Sequence, residues 1–276
     1  MEIGLRFRDM MQMNQNGALF EWDEKMFAKF AYLQDVRISN NGEQIAYVLT
    51  KANLEDDEYK KTIVIENLEN GERKYISDAS APRFAPNGTT LTFVRANEEK
   101  ETNQLMLVDL RTMSAKKLLE TKNIFDVRWN QDNRRLLITS SERLEDEDVY
   151  FDDKLPIWFN GRGFLSKEEG VLQIFDTDGE ELIDKIKVES FVLPYVSDLP
   201  MGIWHGDAVI YNVPNRKNPY KLFDIYHYEH NEREKLFEEV SFKALDSNGE
   251  VVLLHGKPEK EKLFEHDYLY LWDGEQ

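Results

Sequence analysis

Ala85-Pro86-Asn87-Gly88-Thr89-Thr90-Leu91-Thr92-Phe93 reads as a tight turn followed by a strand. Asn-Gly supplies positive φ at little steric cost, so the chain can reverse between two antiparallel strands. The apolar-polar alternation after the turn marks a strand with one buried face. The pattern recurs. Ser39-Asn40-Asn41-Gly42-Glu43-Gln44-Ile45-Ala46-Tyr47 and Asp246-Ser247-Asn248-Gly249-Glu250-Val251-Val252-Leu253-Leu254 are close copies. Asn130 to Ile138 and His205 to Tyr211 are weaker ones.

The turn positions are Gly42, Gly88, Asn133, Gly206 and Gly249, separated by 46, 45, 73 and 43 residues. A second turn follows each opening at a steady distance: Gly71 lies 29 after Gly42, while Met113, Asn231 and Gly274 each lie 25 after Gly88, Gly206 and Gly249. Strands flank these second turns at Thr62–Glu66, Gln104–Asp109, Val171–Asp176, Asp224–Tyr228 and Tyr268–Trp272. Two hairpins per period in the forties predict an all-β fold, a β-propeller of four-stranded antiparallel blades, with about four and a half blades present.

Blades are expected at about 32–78, 81–120, 125–187, 191–239 and 241–276, the fifth lacking its last strand. The domain division is thus an N-terminal segment, residues 1–31, and a partial propeller, residues 32–276. Within the first segment, Trp22, Met26, Phe27 and Phe30 fall on one face at helical spacing, which predicts a short amphipathic helix over 22–31. Its ordinary role is to cap the propeller rim. A three-stranded blade leaves an open edge, which needs a partner.

The chain has 276 residues, 35 basic and 53 acidic, for a net charge of −18. That disfavours nucleic acid and anionic membrane as partners, since phosphate binding needs concentrated Lys and Arg. There are no cysteines, so disulfide and thiolate chemistry are excluded and a cytoplasmic location is expected. No apolar run reaches the length of a membrane span.

The third blade carries a surplus of 21 residues between its turns, an insertion at about 142–163. It is acidic (Glu145-Asp146-Glu147-Asp148, then Asp152-Asp153) and continues Leu155-Pro156-Ile157-Trp158-Phe159-Asn160-Gly161-Arg162-Gly163-Phe164. This insertion resembles the propeller of acylaminoacyl peptidases, in the prolyl oligopeptidase group of serine peptidases. The Asn-Gly blade openings are similar to that family's repeated openings, though less specific. The likeness spans about residues 22–276. It implies a seven-bladed propeller, truncated here, followed by an α/β-hydrolase domain with a Ser-Asp-His triad, the propeller acting as a size filter for peptides. No Gly-x-Ser-x-Gly elbow occurs in this sequence, and none of its eleven serines sits between glycines at that spacing. The chain alone is therefore expected to be inert, with no catalytic residue, no metal and no cofactor. Its expected partners are a peptide substrate and a hydrolase domain, in cis or in trans. The alternative is a free-standing propeller that binds proteins or peptides.

Three residues are candidates for substrate binding. Glu147 and Asp148 offer carboxylates to a peptide's amino group, against the plainer reading of the acidic run as a solvated loop. Arg162, between Gly161 and Gly163, offers a guanidinium to a carboxylate or carbonyl, against the plainer reading of a surface ion pair. The run lacks the Asp-x-Asp-x-Asp-Gly order of a calcium loop. His205, His227, His230, His255 and His266 show no metal-ligand spacing.

Overall fold

The structure, a computed structural model, describes residues 25–143, 158–159, 163–164, 168–188, 201–215, 218, 222–257 and 266–274. Four four-stranded antiparallel sheets and one three-stranded sheet follow one another along it. Blade one is β1 (Ala31–Ile38), β2 (Gln44–Asn53), β3 (Glu58–Asn67) and β4 (Arg73–Ser77). Blade two is β5 (Ser80–Phe84), β6 (Thr90–Asn97), β7 (Thr102–Asp109) and β8 (Ala115–Thr121). Blade three is β9 (Asn123–Trp129), β10 (Arg135–Arg143), β13 (Glu168–Asp176) and β14 (Glu181–Val188), interrupted by the small hairpin of β11 (Trp158–Phe159) and β12 (Gly163–Phe164). Blade four is β15 (Gly202–His205), β16 (Ala208–Pro214), β17 (Phe223–Glu229) and β18 (Glu232–Val240). Blade five is β19 (Phe242–Ser247), β20 (Val252–Gly256) and β21 (Tyr268–Trp272).

The turn chemistry behaves as the residue types dictate. All five opening positions have positive φ: Gly42, Gly88, Asn133, Gly206 and Gly249. So do the second-turn residues Gly71, Met113, Asn231 and Gly274. In blade three the left-handed residue of the second turn is Glu180 rather than its glycine neighbour.

The core is four interfaces between consecutive sheets. Successive residues of a strand face opposite sides, and here each side meets a different neighbour. On β10, Leu136 and Ile138 join Val94 and Leu105 of blade two, while Leu137 joins Val209 and Tyr211 of blade four. On β16, Val209 and Tyr211 pack back on blade three and Ile210 packs forward on Ala244 and Leu254 of blade five. The strands therefore need both sets of positions apolar, and the hydrophobic alternation is blurred wherever a blade lies between two others.

Of the helix expected over 22–31, the described residues carry a 3-10 turn at Met26–Lys29, and the chain is already strand at Ala31. Four residues are too few to present an amphipathic face, and backbone pairing of Ala31–Ile38 with β2 claims the rest. Phe30, expected on that face, is exposed. Trp22 lies outside the described residues.

Candidate functional site

In each blade the first strand is a sheet edge, and the first strands of neighbouring blades lie side by side: β1 with β5, β5 with β9, and β15 with β19. They form the inner wall around the axis. Four of the five carry an irregularity: register shifts fall in β1 between Gln34 and Arg37, in β5 between Ser80 and Arg83, opposite β9 near Phe125, and in β19 between Ala244 and Asp246. Such bulges bend a strand and re-aim its side chains. Asp35 sits in the first with φ 46°, a conformation Asp tolerates better than most residues.

Those side chains build a ladder of ion pairs across the wall. The Arg83 guanidinium of blade two reaches back to Asp35 at 2.8 Å and forward to Asp126 of blade three at 3.4 Å. Asp35 also holds Arg37 at 2.8 Å, and Asp126 holds Arg128 at 2.9 Å. Arg128 stands 3.9 Å from Asp246 of blade five. Backbone contacts fix the same residues. The Trp129 indole donates to the Arg83 carbonyl at 3.2 Å, and the Trp204 indole donates to the Arg128 carbonyl at 3.1 Å, so each arginine is clamped by the tryptophan of the next blade. Asn130 donates to the Gly206 carbonyl at 2.9 Å, and Gln44 to the Gly88 carbonyl at 3.0 Å, locking successive opening turns.

Two clefts open beside the ladder. One, of about 240 Å³, is lined by Arg37, Arg83, Asp126, Arg128 and the Phe84 and Trp129 rings. The other, of about 400 Å³, runs between the openings of blades three, four and five and is lined by Arg128, Trp129, Trp204, Asp207 and Asp246 among others. Arg128, Trp129 and Gln131 line both.

His205 Nδ1 lies 2.8 Å from Ser247 Oγ, joining blades four and five. Burial, and then the nearby His227, hold this imidazole below its ordinary value. Ser247 also accepts from the Gly249 amide, capping a turn. The group perturbing His205 is another imidazole, not the carboxylate that orients a catalytic one, so the pair reads as a structural link. Among the described residues no three His, Asp or Glu side chains converge as metal ligands.

Glu147, Asp148 and Arg162 lie outside the described residues. So does the rest of the acidic run, while further along the insertion Trp158 pairs with Phe164 and Phe159 with Gly163 in a small hairpin. The ladder, by contrast, contains no residue singled out by the sequence reading. A signal was present: Arg37, Arg83 and Arg128 each stand five residues before their opening turn.

The fold and its axial wall define the class, a β-propeller built of tandem four-stranded blades. The solved structures narrow it. Pyrococcus horikoshii acylaminoacyl peptidase is 51% identical and matches over 93% of this chain with a TM-score of 0.83. An acylaminoacyl peptidase in complex with Z-Gly-Gly-Phe-chloromethyl ketone is 50% identical over 93% of this chain, also at 0.83. The β-propeller domain of the trilobed protease from Pyrococcus furiosus, described as having an open velcro topology, is 44% identical over 91% of this chain and 70% of its own, at 0.72. The chain belongs to the acylaminoacyl peptidase group of the prolyl oligopeptidase family, as its propeller domain. It spans 40% of the length of each acylaminoacyl peptidase chain it matches. No protein-family model matches the chain, and no curated protein matches it.

Proposed function

We propose that this chain is the non-catalytic propeller portion of an acylaminoacyl-peptidase-like serine peptidase, governing which peptides reach a hydrolase domain that these residues do not supply. The observation that carries the reading is 51% identity to such a peptidase over nearly all of this chain but only 40% of that one. The physical logic is exclusion: a wall of tied blades passes an extended peptide and stops a folded one. Ion pairs and indole clamps between blades resist the spreading that would defeat a filter. With this reading goes a cytoplasmic location.

The test is a chimera in which these residues replace the matching stretch of the Pyrococcus horikoshii enzyme. It should hydrolyse a short acyl-aminoacyl substrate and spare the same sequence embedded in a folded protein, whereas the 276-residue chain alone shows no serine-inhibitor-sensitive hydrolysis. A folded, active chimera that cuts both substrates alike would reject the filtering role. Inhibitor-sensitive activity in the isolated chain would reject the non-catalytic assignment.

A further inference from the structure

The inner wall repeats one residue at one level. Arg37, Arg83 and Arg128 are 46 and 45 residues apart, matching their turns, and lie on the first strands of three consecutive blades. All three line the same 240 Å³ cleft. Seven residues before each turn, blades one and three carry Asp35 and Asp126, but blade two carries Ala81. The cleft lining thus carries three guanidiniums and one carboxylate, Asp126, while Asp35 and Asp246 meet these arginines from outside the lining, a local positive surplus in a chain whose net charge is −18.

The existing pairs leave donors uncommitted to short bonds. Charge-assisted N–H···O bonds settle near 2.7–2.9 Å. Arg83 Nη2 is 3.4 Å from Asp126, and Arg128 Nη1 is 3.9 Å from Asp246, which is too long for a hydrogen bond. Arg37 is tied by one Nη2 contact to Asp35. The guanidinium presents five donors in a planar fork suited to a carboxylate. Phe84 and Trp129 wall the same cleft and offer an apolar surface to whatever flanks that carboxylate.

We propose that this three-arginine cleft is a carboxylate-binding site for peptides, seated on the channel wall. The site is a matter of geometry; naming a peptide as the carrier rests on the filtering role proposed above. A C-terminal carboxylate and a Glu or Asp side chain share the required chemistry, and the experiment separates them.

The full 276-residue chain is titrated against rhodamine-labelled alanine pentapeptides in three forms: free C-terminus, C-terminal amide, and amide with a central Glu. Fluorescence anisotropy gives the affinities. At least one acidic form should bind about tenfold or more tighter than the neutral amide, with an advantage that shrinks as salt rises. Preference for the free terminus assigns the C-terminal carboxylate, and preference for the Glu peptide assigns the side chain. Arg37→Gln and Arg128→Gln should each weaken acidic-peptide binding several-fold. Asp246→Asn removes a competing carboxylate that is mostly exposed and should tighten it, a gain that loss of folding cannot mimic. Equal binding of acid and amide, no binding at all, or acid binding untouched by these three substitutions would overturn the site. None of those results bears on the chimera's size discrimination, so the two ideas fail separately.

Discussion

Lys243, on the inner strand of blade five, holds its ammonium 4.2 Å from the centre of the Phe223 ring of blade four. Burial pushes this amine down to about 8, with Asp267 opposing part of the shift. An unfolded lysine titrates near 10.4. Between about pH 8 and 10 the folded chain has shed this proton and the unfolded chain keeps it. The unfolded state then binds more protons, so stability rises with pH across that window. Below it, both states are protonated and folding bears the whole cost of the half-buried charge. Lys243→Met should therefore raise stability at pH 7 by about 1 kcal/mol, a figure kept small because the side chain is only partly buried, and should flatten the pH 8–10 slope. Urea denaturation at pH 7, 8, 9 and 10 measures both. Parallel curves for the two proteins would show that the amine stays charged throughout.

At the scale of elements, blade four meets blade three through Gly202, the first residue of β15. A Cβ there would lie 2.9 Å from Leu172 Cδ1 and 3.3 Å from Leu137 Cδ2. Leu172 is fully buried. Gly202→Ala alone overpacks the interface and should cost about 1–3 kcal/mol. Leu172→Ala alone opens a cavity and should cost about 2–5 kcal/mol. Together the new methyl occupies space the leucine vacates, so the double variant should be more stable than the two losses added, by about 1 kcal/mol or more. Chemical denaturation of the four proteins closes the cycle, and simple additivity would place the methyl elsewhere. Elements such as β15 are readable from sequence because their turns are local chemistry: Asn-Gly and its substitutes adopt positive φ whatever lies beyond. The axial ladder is not local. Arg83 finds Asp35 across 48 residues and Asp126 across 43, and Asp35 points where it does through a bulge that no residue type announces. The periodic arginines were visible in principle, as a charge kept at one offset from every turn in the first three blades. The acidic insertion stands out in the sequence because its composition is unusual, which is a property of sequence and not of position in the fold.

For the molecule as a whole, the two end blades each have one face without a neighbouring blade among the described residues. On blade one, Ile38 is 61% exposed, whereas Phe84 and Trp129, also four residues before their turns, are partly covered. On blade five, Leu271 is 77% exposed. Every blade in a propeller offers one face to the blade before it and another to the blade after it, so these two end faces are complementary by repetition. Copies of this chain should associate head to tail, a heterologous contact that does not close on itself after two subunits. Ile38→Glu spoils one face and Leu271→Glu the other, so each variant alone should lose the contact and run as a monomer. Mixed, the two variants still hold one intact face each, and those faces match: they should form a one-to-one dimer that grows no further. Light scattering on a sizing column distinguishes this from its rivals. A mixture that stays monomeric shows that these faces do not meet, and a single variant that still forms long assemblies shows that association runs through another surface.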